Sequence, residues 1–339
     1  MDHSPVTVLT VEDLALAAPA MLGYWPAGSL CIIVVDDDQR VLLIMRWQHA
    51  EAQEGDAPLL PPALPEAGPG QPSPAAFHLV SFPGPCSGDV GPEPGCRPEH
   101  GLDLAAGLQR AGLSRGQALM VACDGDEVSW APLEPAASGA SGTTGEQHMT
   151  GAQVMARLRR WGLPRWQQDR AAYVGDIEPD PAAIERVRDA LATQMPLVES
   201  RRDEAIARMR QARFPEGMPA QAVAETLVAL ADVAVRDTLI WEVMHDDPAQ
   251  WVALAEHLAE VVSASPVSHL APPATVLAIL RWQMGDGSRA SAAVERALAA
   301  DPDYSLARLV DRCLAVGLHP ATWREGLSDL SRAECRRSA

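Results

Sequence analysis

Lysine is absent from this 339-residue chain; all 27 basic residues are arginine. Abundant alanine, glycine, proline and arginine without lysine is the signature of a GC-rich genome. The 45 carboxylates leave a formal net charge of −18. Residues 1–132 hold 17 acidic and 5 basic side chains, and the remainder 28 and 22. Such a surface repels nucleic-acid phosphates and anionic lipid, so neither nucleic acid nor membrane is expected as a partner. No apolar run approaches the roughly 20 residues of a membrane span. Asp2, Glu12 and Asp13 stand where a secretory peptide would be basic. A soluble, cytoplasmic protein is expected. Six cysteines (31, 86, 96, 123, 313 and 335) show no C-x-x-C spacing. They read as free thiols in a reducing compartment, and no metal is expected. Aromatic residues make up only 4%, so alanine and leucine carry the burial, which favours helix. There is no G-x-S-x-G, phosphate loop or H-E-x-x-H, and no cofactor is expected.

What is present begins with Met21–Val35. An Ala/Leu-rich helix over 13–20 ends at Gly23, Pro26 and Gly28 re-aim the chain, and Leu30–Val35 is a buried strand. The segment is not a dinucleotide fingerprint, because it precedes a strand where that fingerprint must follow one. Val41–Met45 returns as a hairpin partner. Residues 51–98 are too rich in proline for long helix and surround one short strand, Phe77–Phe82. A helix ends near Gly112, Gln117–Cys123 is a strand, Asp124-Gly125 is a hairpin turn, and Glu127–Trp130 returns. This predicts a small acidic α/β domain over 1–132 with a Pro-rich insertion at 51–98, then a flexible linker at 133–149.

From 150 to 330 the pattern is helical. Asp180–Arg213 is split by Pro196, and helices follow at 223–234, 237–245, 249–263, 275–284, 288–300 and 304–316. Within 271–304, Ala278, Ala290, Val294, Ala297 and Pro302 fall at the small, large and closing positions of a two-helix repeat. The segment resembles a tetratricopeptide repeat, with 304–316 as a capping helix. Arg281 and Ala274 depart from it, standing where aromatic side chains are usual. One repeat serves either as packing or as a small partner groove.

The candidate site residues are few. Gly23, Pro26, Ser29 and Arg46 are candidates for ligand binding, because irregular backbone entering a buried strand often approaches a ligand. Arg236, Asp237, Arg281 and Trp282 are candidates for partner binding. The acidic loops Asp36–Asp38 and Asp124–Glu127 would hold a cation only if they shared one edge of the sheet; solvated loops are the ordinary reading. Arg201, Arg202, Arg208, Arg210 and Arg213 read as an ion-paired helix face, with Glu199, Asp203 and Glu204 interleaved.

Ala18-Pro19-Ala20-Met21-Leu22-Gly23-Tyr24-Trp25-Pro26-Ala27-Gly28-Ser29-Leu30 resembles the opening of an actinobacterial family, domain of unknown function 4192. Val235-Arg236-Asp237, Trp282–Asp286, Glu295–Ala307 and Thr322-Trp323-Arg324 resemble its central and C-terminal elements. The chain departs at Arg46-Trp47-Gln48, where the family carries an acid two residues after the arginine. It also lacks the family's cysteine after Ser129-Trp130. The family implies kinship and no reaction. The expected architecture is mixed α+β: a small sheet domain followed by an all-helical, tetratricopeptide-like domain. The expected function is a non-enzymatic protein–protein interaction or regulatory module. The alternative is an enzyme or small-ligand sensor with its site in the N-terminal domain.

Overall fold

The computed structural model describes residues 6–48, 73–83, 108–110, 112–133, 147–211, 214 and 217–337. Their contacts divide the chain into two units, Met1–Tyr173 and Val174–Ala339. The first opens with helix α1, Val11–Leu22. Asp13 N donates to Thr10 Oγ1, and the Asp13 carboxylate accepts from Thr10 N, a reciprocal cap that satisfies two orphan donors. Gly23 ends the helix at φ 80°, where a Cβ is disfavoured, and its N–H donates to the Pro19 carbonyl.

Six strands follow: β1 Ser29–Val35, β2 Val41–Gln48, β3 Ala76–Phe82, β4 Ser114–Asp124, β5 Glu127–Pro132 and β6 Gln147–Met149. The sheet order is β2-β1-β3-β4-β5-β6. Only β3 and β4 run parallel. A parallel pair needs a crossover, and Leu108–Arg110 is its described helical part. All seven residues of β1 are buried. Cys31, Ile33 and Val35 pack with Val80 and Phe82 against α1 and against helix α2, Gly151–Trp161. Leu30, Ile32 and Val34 pack on the other face with Phe77, Leu79, Leu108 and Leu113. That two-sided burial is what an uninterrupted apolar run requires.

Two details differ from expectation. The hairpin turn is Gly125-Asp126, one residue later than expected, because Asp124 still pairs with Glu127. Gly125 supplies the positive φ, 57°, that a two-residue turn needs. The first unit also runs to Tyr173, beyond the expected boundary at 132. Gln147–Met149 adds to the sheet beside β5, and α2 buries Val154, Leu158 and Trp161 in the sheet's core. Residues 134–146 of the expected linker, and 51–72 and 84–98 of the Pro-rich insertion, lie outside the described residues.

After a short helix α3, Arg170–Val174, the second unit is helical. It holds α4 Pro181–Leu191, α5 Arg202–Gln211, α6 Ala220–Ala231, α7 Val233–His245 and α8 Trp251–Ser263. It continues with α9 Ala271–Gln283, α10 Gly287–Ala300, α11 Ser305–Ala315, α12 Pro320–Leu327 and α13 Arg332–Arg337. Pro196 falls between α4 and α5, as its missing amide donor demands. The break expected between 234 and 237 lies at Asp232, whose carboxylate accepts from Val235 N and caps α7. Ala278, Ala290 and Ala297 are wholly buried in the α9–α10 hairpin. The last two helices were not anticipated. Trp282 Nε1 donates to the Leu318 carbonyl at 3.2 Å, and Trp241 Nε1 to the Leu330 carbonyl at 2.8 Å. Among the described residues no helix is long and apolar enough to cross a membrane.

Candidate functional site

The corner after α1 brings two of the four expected ligand residues together. Arg46 Nη1 donates to Ser29 Oγ at 3.0 Å, because Ser29 and Arg46 lie on neighbouring strands and Arg46 pairs with Cys31. Ser29 is wholly buried, and its hydroxyl donates to the Ala27 carbonyl at 3.3 Å. The Arg46 guanidinium lies 5.9 Å from the centre of the Tyr24 ring. Gly23 and the buried Pro26 shape the turn. A Cβ on Gly23 would stand 2.3 Å from the Tyr173 ring, and Gln167 N donates to the Gly23 carbonyl at 2.8 Å. Burial pushes the neighbouring Cys31 thiol up to about 12, against the lowering effect of Arg46.

A second locus escaped sequence reasoning. Asp13, wholly buried on α1, holds two arginines from α2. Its Oδ1 accepts from Arg160 Nη2 at 2.6 Å and from Arg157 Nη1, while its Oδ2 accepts from Leu9 N and Thr10 N. Arg157 also donates to Thr10 Oγ1 at 3.2 Å. This buried carboxylate is saturated with donors, the condition under which a buried charge is tolerated. Beside it opens a groove of about 780 Å³ walled by Trp130, Gln147, Met149, Gln153, Arg157 and Arg160. Trp130 Nε1 donates to Gln147 Oε1 at 3.1 Å. The one local signal at Asp13 is its place three residues after Thr10, the spacing of a capping box. The arginines that meet it lie 144 and 147 positions away, and no local pattern announces that pairing.

The two acidic loops do not meet. Val35 pairs with Ala76, and Ala76 with Ser114, so the Asp36–Asp38 loop lies at the start of β4. The Asp124–Glu127 turn lies at the end of β4, across the sheet. Asp36 is itself occupied, accepting from Arg40 N at 2.8 Å. Among the described residues no group of three His, Cys, Asp or Glu side chains is placed to hold a metal ion.

The expected partner residues of the helical unit are turned to internal contacts. Arg281 and Trp282 are 3% and 4% exposed. Arg281 is ion-paired with Asp176, and Trp282 stacks edge-on against Trp323 at 5.5 Å. Arg236 donates to Asp237 at 2.8 Å and to the Tyr304 hydroxyl at 2.7 Å. In the basic cluster Arg202 pairs with Asp232, Arg208 with Glu204 and Glu225, and Arg210 with Glu242 and Asp246.

Residues 12–321 match the family described as Domain of unknown function (DUF4192), and the chain belongs to that family. Neither the curated proteins nor the solved structures contain a match.

Proposed function

We propose that this member of a family without an assigned reaction is a non-enzymatic recognition module whose sheet unit takes an extended acidic segment of a partner protein. The observation that carries this reading is the groove beside β6. Its two arginines are locked on a buried carboxylate, and it is wide enough for side chains over Trp130 and Met149. β6 is the last strand of the sheet, so one side of its backbone ladder has no strand beside it among the described residues. An added strand supplies main-chain hydrogen bonds, and the arginines supply preference for an acid. The titratable groups of the wall are Glu12, His148, Arg157 and Arg160.

Further features support a packing role for the helical unit. The buried alanines of the α9–α10 hairpin suit a tetratricopeptide-like crossing, with its inner residues used for cohesion. Cys31, Cys123, Cys313 and Cys335 are free thiols, in keeping with a cytoplasmic setting. The lysine-free composition suits an actinobacterial source. Anisotropy with a panel of extended peptides tests the groove. Acidic peptides should bind, and Arg160→Glu should weaken them by about tenfold or more, since reversing a rim charge repels the acid. Binding indifferent to peptide charge, or unchanged by Arg160→Glu, would overturn the reading.

A further inference from the structure

We infer that the corner formed by Tyr24, Ser29 and Arg46 is a binding site for a small oxyanion, a carboxylate or a phosphate, gripped by the Arg46 guanidinium. This site is separate from the groove and does not rest on it. Arg46 is partly buried. It makes one side-chain hydrogen bond, from Nη1 to Ser29 Oγ, and lies near the Tyr24 ring. No carboxylate among the described residues pairs with it. By contrast, Arg157, Arg202, Arg210 and Arg281 each face an acid.

Ser29 is neutral, and its hydroxyl is already used twice, as acceptor from Arg46 and as donor to Ala27. Cys31 cannot supply the missing charge, because burial keeps its thiol protonated at neutral pH. The fork edge carrying Nε and Nη2 is thus without a hydrogen-bond partner among the described residues. Neither nitrogen is among the buried atoms without a partner, so this edge is open to a ligand, and an oxyanion meets such a fork with two parallel hydrogen bonds. The turn alongside is built with little side-chain bulk: Gly28 takes φ 66°, and Ala27 is the exposed residue. Together, the lone guanidinium, the neutral hydroxyl that orients it and the small-residue turn fit a ligand headgroup bearing one acidic group.

The test uses the full chain with ¹⁵N-labelled arginine. Inorganic phosphate and acetate are titrated separately at constant ionic strength against chloride, and the Arg46 Nε–H resonance is followed. The expected result is a saturable shift with at least one anion, which assigns phosphate or carboxylate. Arg46→Gln should abolish the effect, assessed by the anion-induced rise in Tm. Arg46→Lys keeps the charge but loses the planar fork and should bind at least about tenfold more weakly. Arg160→Gln should leave the titration unchanged, which separates this site from the groove. No saturable shift, a shift that chloride alone reproduces, or binding by Arg46→Lys as tight as by the parent would each overturn the proposal. If Arg46→Gln fails to fold, the lysine variant decides.

Discussion

Asp13 shows how one side chain serves two levels of structure. It caps its own helix and accepts from two arginines of a helix more than 140 residues away. Removing it deletes the cap and leaves the Leu9 and Thr10 amides without their acceptor, while both arginines still reach water at the groove. Asp13→Ala should therefore cost about 1–3 kcal/mol, the range for a lost cap and unmet buried donors. Asp13→Asn, which still accepts from Thr10 N, should cost less; urea unfolding of both variants checks the order. His78 makes a different kind of contact. Its Nδ1 accepts from Gln117 N at 3.0 Å, filling a bulge between β3 and β4. The bulge admits the ring because residue 116 is glycine; a Cβ there would stand 2.5 Å from it. Burial lowers the His78 pKa below its usual 6.5. The unfolded chain thus binds a proton that the folded chain refuses, and the stability His78 contributes is complete above 6.5. It is lost as pH falls below 6.5 toward the folded value. His78→Asn keeps an acceptor near the Nδ1 position and has no titration. Its stability should fall less than the parent's between pH 7 and 5, by chemical denaturation at each pH.

At the scale of elements, α13 stands apart from its neighbours in how it is held. Cys335 is its one buried residue. Arg332 pairs with Glu242 and Asp203, and Arg336 with Asp203. Side-chain hydrogen bonding to Arg332 holds the Asp203 carboxyl below its usual range. The partners are partly exposed, so salt screens them. By contrast α9 buries nearly every residue, including Leu277, Ala278 and Ile279. Raising salt from low to molar concentration should speed amide hydrogen exchange across 332–337 and leave the middle of α9 unchanged. Equal protection of both at all salt concentrations would show that α13 is held by burial after all. The same contrast explains what was readable. α9 and α10 announce themselves by apolar spacing and by Gly285 between them. The segment after 316 has weak apolar spacing, and its helices depend on tryptophan hydrogen bonds and ion pairs that connect distant residues.

For the whole molecule, the mixed fold class and the order of elements were legible in the sequence, except β6, α3, α12 and α13. β1 was legible because an unbroken β-branched run has few other fates. The end of α1 was legible because Gly23 offers the only cheap left-handed residue there. The extent of the first unit was not, since it depends on what one amphipathic helix packs against. Val154, Leu158 and Trp161 specify an apolar stripe without naming its partner. The candidate sites were half legible: Ser29 and Arg46 are on a hairpin that the sequence announces, though the bulge between Val34 and Val35 that brings them to one face is not announced, whereas the Asp13–Arg157–Arg160 cluster joins residues that share no local pattern. This account of the first unit fixes where the chain can be cut. Val128 and Trp130 on β5 are buried in one cluster with Met149, Val154, Leu158 and Trp161. A fragment ending at 132 loses those four residues and both arginines of Asp13. Exposing an apolar sheet face costs about 25 cal/mol for each Å² returned to water. Residues 1–132 should therefore give no cooperative thermal transition. Residues 1–173, which keep α2 and the Tyr173 ring against Gly23, should unfold in a single one. Calorimetry of the two fragments checks the boundary, and a cooperative transition in the shorter fragment would show that α2 is dispensable to the sheet.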